Sequence, residues 1–315
     1  MTIAPVNLGL IGLGPLWESQ YRPALAKLNQ RLKVVAVYDN VRSRAEQAAR
    51  EMQSRFVGGI TALVDRPDVQ AVLWLDAGWQ GPAIMQLLCE HRKPVLKAAK
   101  CDLSLSELQQ VHEQAAAHGQ TIVPAFPKRC TPASIRLQEL LATQLGRPQR
   151  IEINIAPASL TAIPFATSAD FGGATPPSQD PLLEWTDWVQ YLFRAVPQQV
   201  TRDNGGQSLQ LNFTPLQSSN ATTELRNVTL SFSPTPPIPD QPTCDEVCLQ
   251  CEHGNARLIG SSFIEWTSGS ESNTESLIAE RTETEVLLDL FCRRVVGGLV
   301  PVPDLSDLIR AQQIV

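Results

Sequence analysis

The chain has 315 residues, 43% of them hydrophobic, and its 26 Lys and Arg against 32 Asp and Glu leave a net charge of −6. That length supports a substantial core and favours two domains. The absence of a basic block argues against a nucleic-acid partner. The apolar run Val6–Leu13 is too short to cross a bilayer, so no membrane partner is expected. Met1–Leu8 lacks the charged and apolar regions of a secretion signal, and a cytoplasmic protein is expected. Seven scattered Cys then read as free thiols.

The first 125 residues alternate short apolar runs with amphipathic stretches. Strands are expected at Val6–Ile11, Lys33–Tyr38, Ala71–Leu75, Pro94–Leu96 and Thr121–Ala125. Helices are expected between them, at Glu18–Asn29, Arg42–Met52, Gly81–His91 and Ser104–Ala117. This alternation predicts an α/β fold beginning with a doubly wound parallel sheet over residues 1–126. A further helix fits Pro132–Leu145. From Ile151 the pattern changes to period-two alternation: Ile151, Ile153, Ile155; Leu209, Leu211, Phe213; Val228, Leu230, Phe232. Helices are expected at Leu182–Phe193, Thr284–Val296 and Leu305–Gln313. Residues 127–315 therefore read as an α+β open-sheet domain. Pro234–Pro242 reads as a loop or sheet edge, and the Ser/Glu-rich Thr267–Ser276 as a loop.

The first strand runs into Gly12-Leu13-Gly14-Pro15-Leu16-Trp17 and then a helix. Two glycines there permit a tight turn and let the backbone approach a pyrophosphate at the helix N-terminus. The second strand ends in Asp39, placed to accept hydrogen bonds from the adenosine ribose. Three features depart from the fingerprint. Trp17 replaces the third glycine, Pro15 lacks an N–H, and Glu18 brings negative charge to the first turn. Asp39 leans towards NAD over NADP, and Arg42 and Arg44 lie close enough to reverse that preference.

With these motifs the chain resembles the Gfo/Idh/MocA oxidoreductase family. The resemblance rests on Leu8–Gly14, Val34–Asp39, Asp65–Val72, the crossover Phe126-Pro-Lys-Arg129 with Pro132, and Asp180-x3-Glu184-x2-Asp187 opening a Trp-rich helix. It implies a Rossmann domain joined to an open-sheet domain, and hydride exchange between a nicotinamide and a sugar or cyclitol hydroxyl. In the family, a Lys of a Glu-Lys-Pro motif and a His of an Asp-x3-His motif handle the hydroxyl proton. Here Ala98-Ala99-Lys100 aligns with the first motif, so Ala99 fills the Lys slot and Glu184 fills the His slot. The family's Thr-Pro near the nicotinamide reads Asp76-Ala77.

Substitutes for the missing groups are Lys97 and Lys100, which flank the empty slot, and the carboxylates Asp180, Glu184 and Asp187. Spacings of four and three put those acids on one helical face, where each raises the others' pKa. The alternatives for that face are a divalent-cation site and a solvated helix start with favourable acids. Arg129 reads either as a cofactor or substrate contact or as an interdomain salt bridge. Cys244, Cys248, Cys251 and His253 read as strand residues, because Cys248 and Cys251 would point to opposite faces. The cofactor-site set is Gly12, Gly14, Pro15, Leu16, Asp39, Arg44 and Asp76.

Two functions follow. One is an NAD(P)-dependent oxidoreductase acting on a small polar hydroxy compound. The other is a catalytically silent dinucleotide-binding sensor or scaffold. An open apolar sheet face would need covering, which points to a homodimer or higher oligomer.

Overall fold

The computed structural model describes residues 4–76, 80–98, 103–156, 181–203, 208–213, 226–232 and 244–315. Lys100, Cys101, Asp180, Ala77, Ala99 and Pro234–Pro242 lie outside them.

The chain forms two compact units. The first begins with β1 (Val6–Ile11), a helix whose Trp17–Tyr21 turn is π-wound before α1 (Arg22–Lys27), β2 (Leu32–Tyr38), α2 (Arg42–Glu51) and β3 (Arg55–Phe56). It continues with α3 (Ile60–Val64), β4 (Ala71–Trp74), α4 (Gly81–His91), β5 (Val95–Lys97), α5 (Leu105–Ala117) and β6 (Ile122–Pro124). The sheet order is β3-β2-β1-β4-β5-β6, and its pairs are parallel. The chain reverses direction across the sheet between β1 and β4, the place where open α/β sheets bind ligands. β4 is buried at all four residues, as a sheet covered on both faces requires.

The second unit holds a 3₁₀ turn (Pro127–Cys130), α6 (Pro132–Leu140), β7 (Pro148–Ile155), α7 (Pro181–Phe193), and the strands β8 (Gln199–Arg202), β9 (Ser208–Phe213) and β10 (Arg226–Phe232). β11 (Glu246–Cys251), β12 (Gly254–Ile259), β13 (Phe263–Ser268) and β14 (Glu271–Ser276) complete its sheet. The order is β14-β13-β12-β11-β7-β10-β9-β8, antiparallel except for β7 against β10. One sheet face carries Ile151, Ile153, Leu211, Leu230, Leu249 and Ile264 into a core with Trp185, Trp188 and Phe193 of α7.

The segment Thr267–Ser276 is therefore a β-hairpin rather than a loop. Ser268 pairs with Glu271 across Gly269-Ser270, and Gly269 has φ +59°. Both faces of β14 are polar, which hid the alternation. The two-residue Gly-Ser turn was the available signal.

The opposite face of the sheet is polar. It presents Gln210, Asn227, Thr229, Glu152, Asn255 and Arg257. Ion pairs line it, with Arg257 Nε 2.5 Å from Glu246 Oε1 between strands and Arg150 Nη2 2.7 Å from Glu152 Oε1 along β7. This face is mostly polar, with Ile259 and Phe263 as a cross-strand apolar pair, so it gives the expectation of a covered apolar face little support. Cys251 points into the core and Cys248 to the polar face.

Two helices follow, α8 (Glu283–Val295) and α9 (Leu305–Gln312). Residues 284–313, read from sequence as part of the second domain, cluster with the first unit. Glu285 pairs with Lys27 at 2.5 Å, and Asp289 pairs with Arg31. No helix among the described residues is long and apolar enough to cross a membrane.

Candidate functional site

In the first unit, the turn after β1 is shaped by its packing against the end of β4. Gly12 has φ +78°, and a Cβ there would lie 2.3 Å from the Asp76 carbonyl oxygen. A Cβ on Gly14 would sit 3.1 Å from Asp76 Cβ. The bare backbone is thus demanded by the sheet itself, and the same bareness gives a cradle that a pyrophosphate can approach. Asp76 stands beside the turn with its carboxylate towards Gly14.

Pro15 and Leu16 open the helix, where a missing N–H costs no intrahelical bond. Trp17 is buried, and the wide π-turn Trp17–Tyr21 makes room for an indole where the fingerprint has glycine. Glu18 is paired with Arg22 at 2.6 Å, which offsets its charge.

Asp39 lies at the end of β2, with its side chain only 2% exposed. Its Oδ2 accepts the Leu13 N–H at 2.7 Å. Its Oδ1 accepts the Val41 N–H at 2.7 Å and Arg44 Nε at 3.1 Å. The carboxylate ties the glycine turn to the start of α2. Lys97 ends β5 with Nζ 5.9 Å from the centroid of the Trp74 ring. The first unit therefore brings together Gly12, Gly14, Pro15, Leu16, Asp39, Arg44 and Asp76. The cradle fits a dinucleotide, with Pro15 and Trp17 as departures.

In the second unit the 3₁₀ turn presents Lys128 and Arg129 to α7. Arg129 makes a bidentate pair with Asp187, at 2.7 and 2.5 Å, and both side chains are buried. Its guanidinium also stacks 4.4 Å from the Tyr191 ring centroid. Arg129 thus bridges two elements of the second unit. Lys128 Nζ lies 3.0 Å from Asp245 Oδ2 and 4.0 Å from the Trp185 ring centroid. Asp245 also accepts the Ala156 N–H at 3.1 Å and the Trp185 indole N–H at 3.3 Å. Lys128 and Asp245 were not singled out in the sequence. The pairing of Pro-Lys-Arg with the acidic helix was the signal for the first, and the isolated strand-start Asp245 offered none.

Glu184 is half-buried, and its carboxyl is pushed up to about 7, chiefly by burial. Lys128 opposes the shift, while Asp245, Asp187 and Glu283 add to it. The expected cause was mutual repulsion among clustered acids. Burial dominates instead, because Asp187 is held by Arg129. On the same helix, Thr186 Oγ1 and Gln190 Oε1 are buried without a hydrogen-bond partner among the described residues. Buried polar atoms of this kind call for a water or a ligand hydroxyl. Cys130 is buried and its thiol is pushed up to about 12, so it is no nucleophile at neutral pH.

Residues 6–126 match the family model described as Oxidoreductase family, NAD-binding Rossmann fold. No curated protein matches the chain in sequence. Among solved structures it is similar to a UDP-N-acetylglucosamine 3-dehydrogenase from Acidithiobacillus ferrooxidans, with TM-score 0.71, 17% identity, and coverage of 99% of this chain and 95% of that one. A super-repressor mutant of Gal80p from Saccharomyces cerevisiae gives TM-score 0.73 at 14% identity, covering 99% and 94%. A 3-ketoreductase from Actinomadura kijaniata in complex with NADP gives 0.68 at 15% identity, covering 98% and 94%. The fold is shared along nearly the whole chain, and residues 6–126 are similar to the NAD-binding Rossmann domain of that oxidoreductase family.

Proposed function

We propose that the protein is an NAD(P)-dependent oxidoreductase of small polar hydroxy compounds, sugars or cyclitols in free or nucleotide-linked form. Gly12, Gly14 and Leu16 would hold the pyrophosphate, and the nicotinamide would supply or accept the hydride. Glu184 takes the hydroxyl proton in oxidation and returns it in reduction. The observation that carries this reading is the Glu184 carboxyl at about 7, in the slot where the family places its His. A group poised near the working pH is the most effective acid or base. Lys128 holds positive charge nearby and favours the carboxylate that must form. The unpartnered Thr186 and Gln190 oxygens are consistent with a hydroxyl-rich ligand. Two similar folds are by name a UDP-N-acetylglucosamine 3-dehydrogenase and a 3-ketoreductase.

The test is a screen of polyols and nucleotide sugars, followed by the pH dependence of kcat/KM. Oxidation should rise through pH 7 and reduction should fall through it. Glu184→Gln should lose about 10²–10⁴ in kcat. Unchanged turnover in that variant would sink the assignment.

A second reading is favoured by Pro15, Trp17 and the Asp76 carboxylate beside Gly14, together with the likeness to a repressor fold. It is a dinucleotide-binding protein without turnover. Its mark would be bound cofactor left unchanged by every substrate offered.

A further inference from the structure

We infer that Lys128 is a second catalytic residue of the proposed oxidoreductase, its ammonium donating a hydrogen bond to the substrate oxygen that Glu184 deprotonates. This rests on the reading above and adds the group that holds the charge developing on that oxygen.

The 3₁₀ turn Pro127–Cys130 carries two neighbouring cations, and the fold uses them differently. Arg129 is committed to the fold: its fork is bidentate to Asp187, it lies on the Tyr191 ring, and its side chain is 9% exposed. Lys128 is 21% exposed and gives one of its three N–H donors to Asp245 Oδ2, at 3.0 Å. Among the described residues its Nζ has no other hydrogen-bond acceptor. The Trp185 ring, with its centroid 4.0 Å from Nζ, covers one side of the ammonium. A charge drawn this far out of water with a single hydrogen bond is under-satisfied, and a ligand oxygen would complete it.

The ammonium is also held in place. Asp245 is anchored through Oδ1 to the Ala156 N–H at 3.1 Å, through Oδ2 to the Trp185 indole N–H at 3.3 Å, and through its carbonyl to the Gly260 N–H at 2.8 Å. The indole that holds Asp245 is the one on which the ammonium lies, so Asp245 and Trp185 are the positioning residues for Lys128. Trp185 follows Glu184 in α7. Lys128 is the strongest charge acting on the Glu184 carboxyl, and Asp245, Asp187 and Glu283 act on it in the opposite sense. Asp187 is met by Arg129, so Lys128 is the cation of this cluster with donors to offer a ligand.

In oxidation the hydroxyl proton passes to the Glu184 carboxylate. The carbinol hydride leaves with its electron pair to the oxidised nicotinamide, and the C–O bond becomes a carbonyl. Lys128 keeps its proton throughout and stabilises the negative charge that gathers on oxygen. In reduction the same donor polarises the carbonyl. A positioned donor sheltered from water acts more strongly there than in solution.

The test is turnover of myo-inositol, D-glucose and UDP-glucose by the full chain with NAD⁺ or NADP⁺. Wild type is compared with Lys128→Met, Lys128→Arg, and Lys128→Met combined with Asp245→Asn, which leaves Asp245 no unmet charge. On the high-pH plateau of oxidation both Met variants should lose about 10²–10³ in kcat, the effect of removing one oxyanion donor. Lys128→Arg should recover part of it, and calorimetric affinity for the dinucleotide should stay within about twofold. Lys128→Met should also move the Glu184 ionisation upward, because a cation that favoured the carboxylate is gone. Carbon-13 NMR of the carboxyl reads that shift without substrate. Thermal unfolding checks that each variant folds, and the double variant carries the test if Lys128→Met does not. A kcat within about threefold of wild type in the folded Met variants would overturn this inference and leave Glu184 and the oxidoreductase reading standing. No turnover by wild type would overturn both.

Discussion

Each unit buries carboxylates near its candidate site, and the two treat them in opposite ways. In the first, Asp39 is met by main-chain N–H groups of Leu13 and Val41 and by Arg44. Its negative charge helps to shape the turn. In the second, Arg129 neutralises Asp187, while Glu184 makes no hydrogen bond among the described residues. Burial without a partner pushes the Glu184 carboxyl up to about 7. A buried acid that is supplied with donors becomes structure. One that is denied them becomes a titrating group near neutral pH.

The sharpest way to break this contrast is to remove the donor that holds Asp187. Arg129→Ala removes the bidentate cation from a carboxylate that is 2% exposed. It should cost about 3–5 kcal/mol, the usual loss when one half of a buried pair is removed. Replacing both partners, Arg129→Met with Asp187→Leu, should cost far less, because no buried charge remains. Urea denaturation of the two proteins decides it. Equal losses would mean that packing, rather than charge, sets the cost.

The matching change in the first unit is Gly12→Ala. A methyl group there meets the Asp76 carbonyl at 2.3 Å, on a backbone with φ +78°. Strain and overpacking together should cost about 2–4 kcal/mol. A melting temperature within a degree or two of wild type would show that the turn can move away from β4.

Glu184 makes a prediction with a sign. Its carboxyl ionises near 4.5 in the unfolded chain and at about 7 in the folded one. Between those values the folded state holds the extra proton, so stability is fullest below pH 4.5. It falls as pH rises towards 7 and levels off above that. The change should reach about 3 kcal/mol for a shift of this size. Glu184→Gln lacks the titration, so its stability should differ less between pH 5 and pH 8. A wild-type protein equally stable at both would place the carboxyl in water.

The Rossmann half was legible because its strands are continuous apolar runs, and because the glycine turn and Asp39 fall in a fixed order. The clusters Lys128–Asp245 and Arg129–Asp187 were not. Each joins residues 58 or more apart, at 117 for the first pair, and the meeting depends on how the 3₁₀ turn lies on α7. Periodicity places Glu184 and Asp187 on one helix face but cannot show that only Asp187 meets an arginine. The hairpin β13–β14 was lost for the opposite reason, since a strand with two polar faces shows no alternation. The same polarity left little of the apolar face that the resemblance led one to expect.

The smallest effect belongs to that polar face and sharpens the contrast from its far end. Arg257 lies between Glu246 and Glu265, at 2.5 and 3.3 Å, and its side chain is 44% exposed. The pairing lowers the Glu246 carboxyl and raises the guanidinium. Solvent takes back most of that energy, and long side chains lose entropy when held in place. Arg257→Ala should therefore cost no more than about 1 kcal/mol, and the loss should shrink as salt is raised. Its shorter contact is as close as those of Arg129 with Asp187, so the difference in cost reports burial together with the bidentate fork and the Tyr191 stacking. A loss of several kcal/mol that is indifferent to salt would mean that this face is covered in solution. The polar ladder would then be an interface, and an oligomer would regain a physical basis that an apolar face no longer supplies.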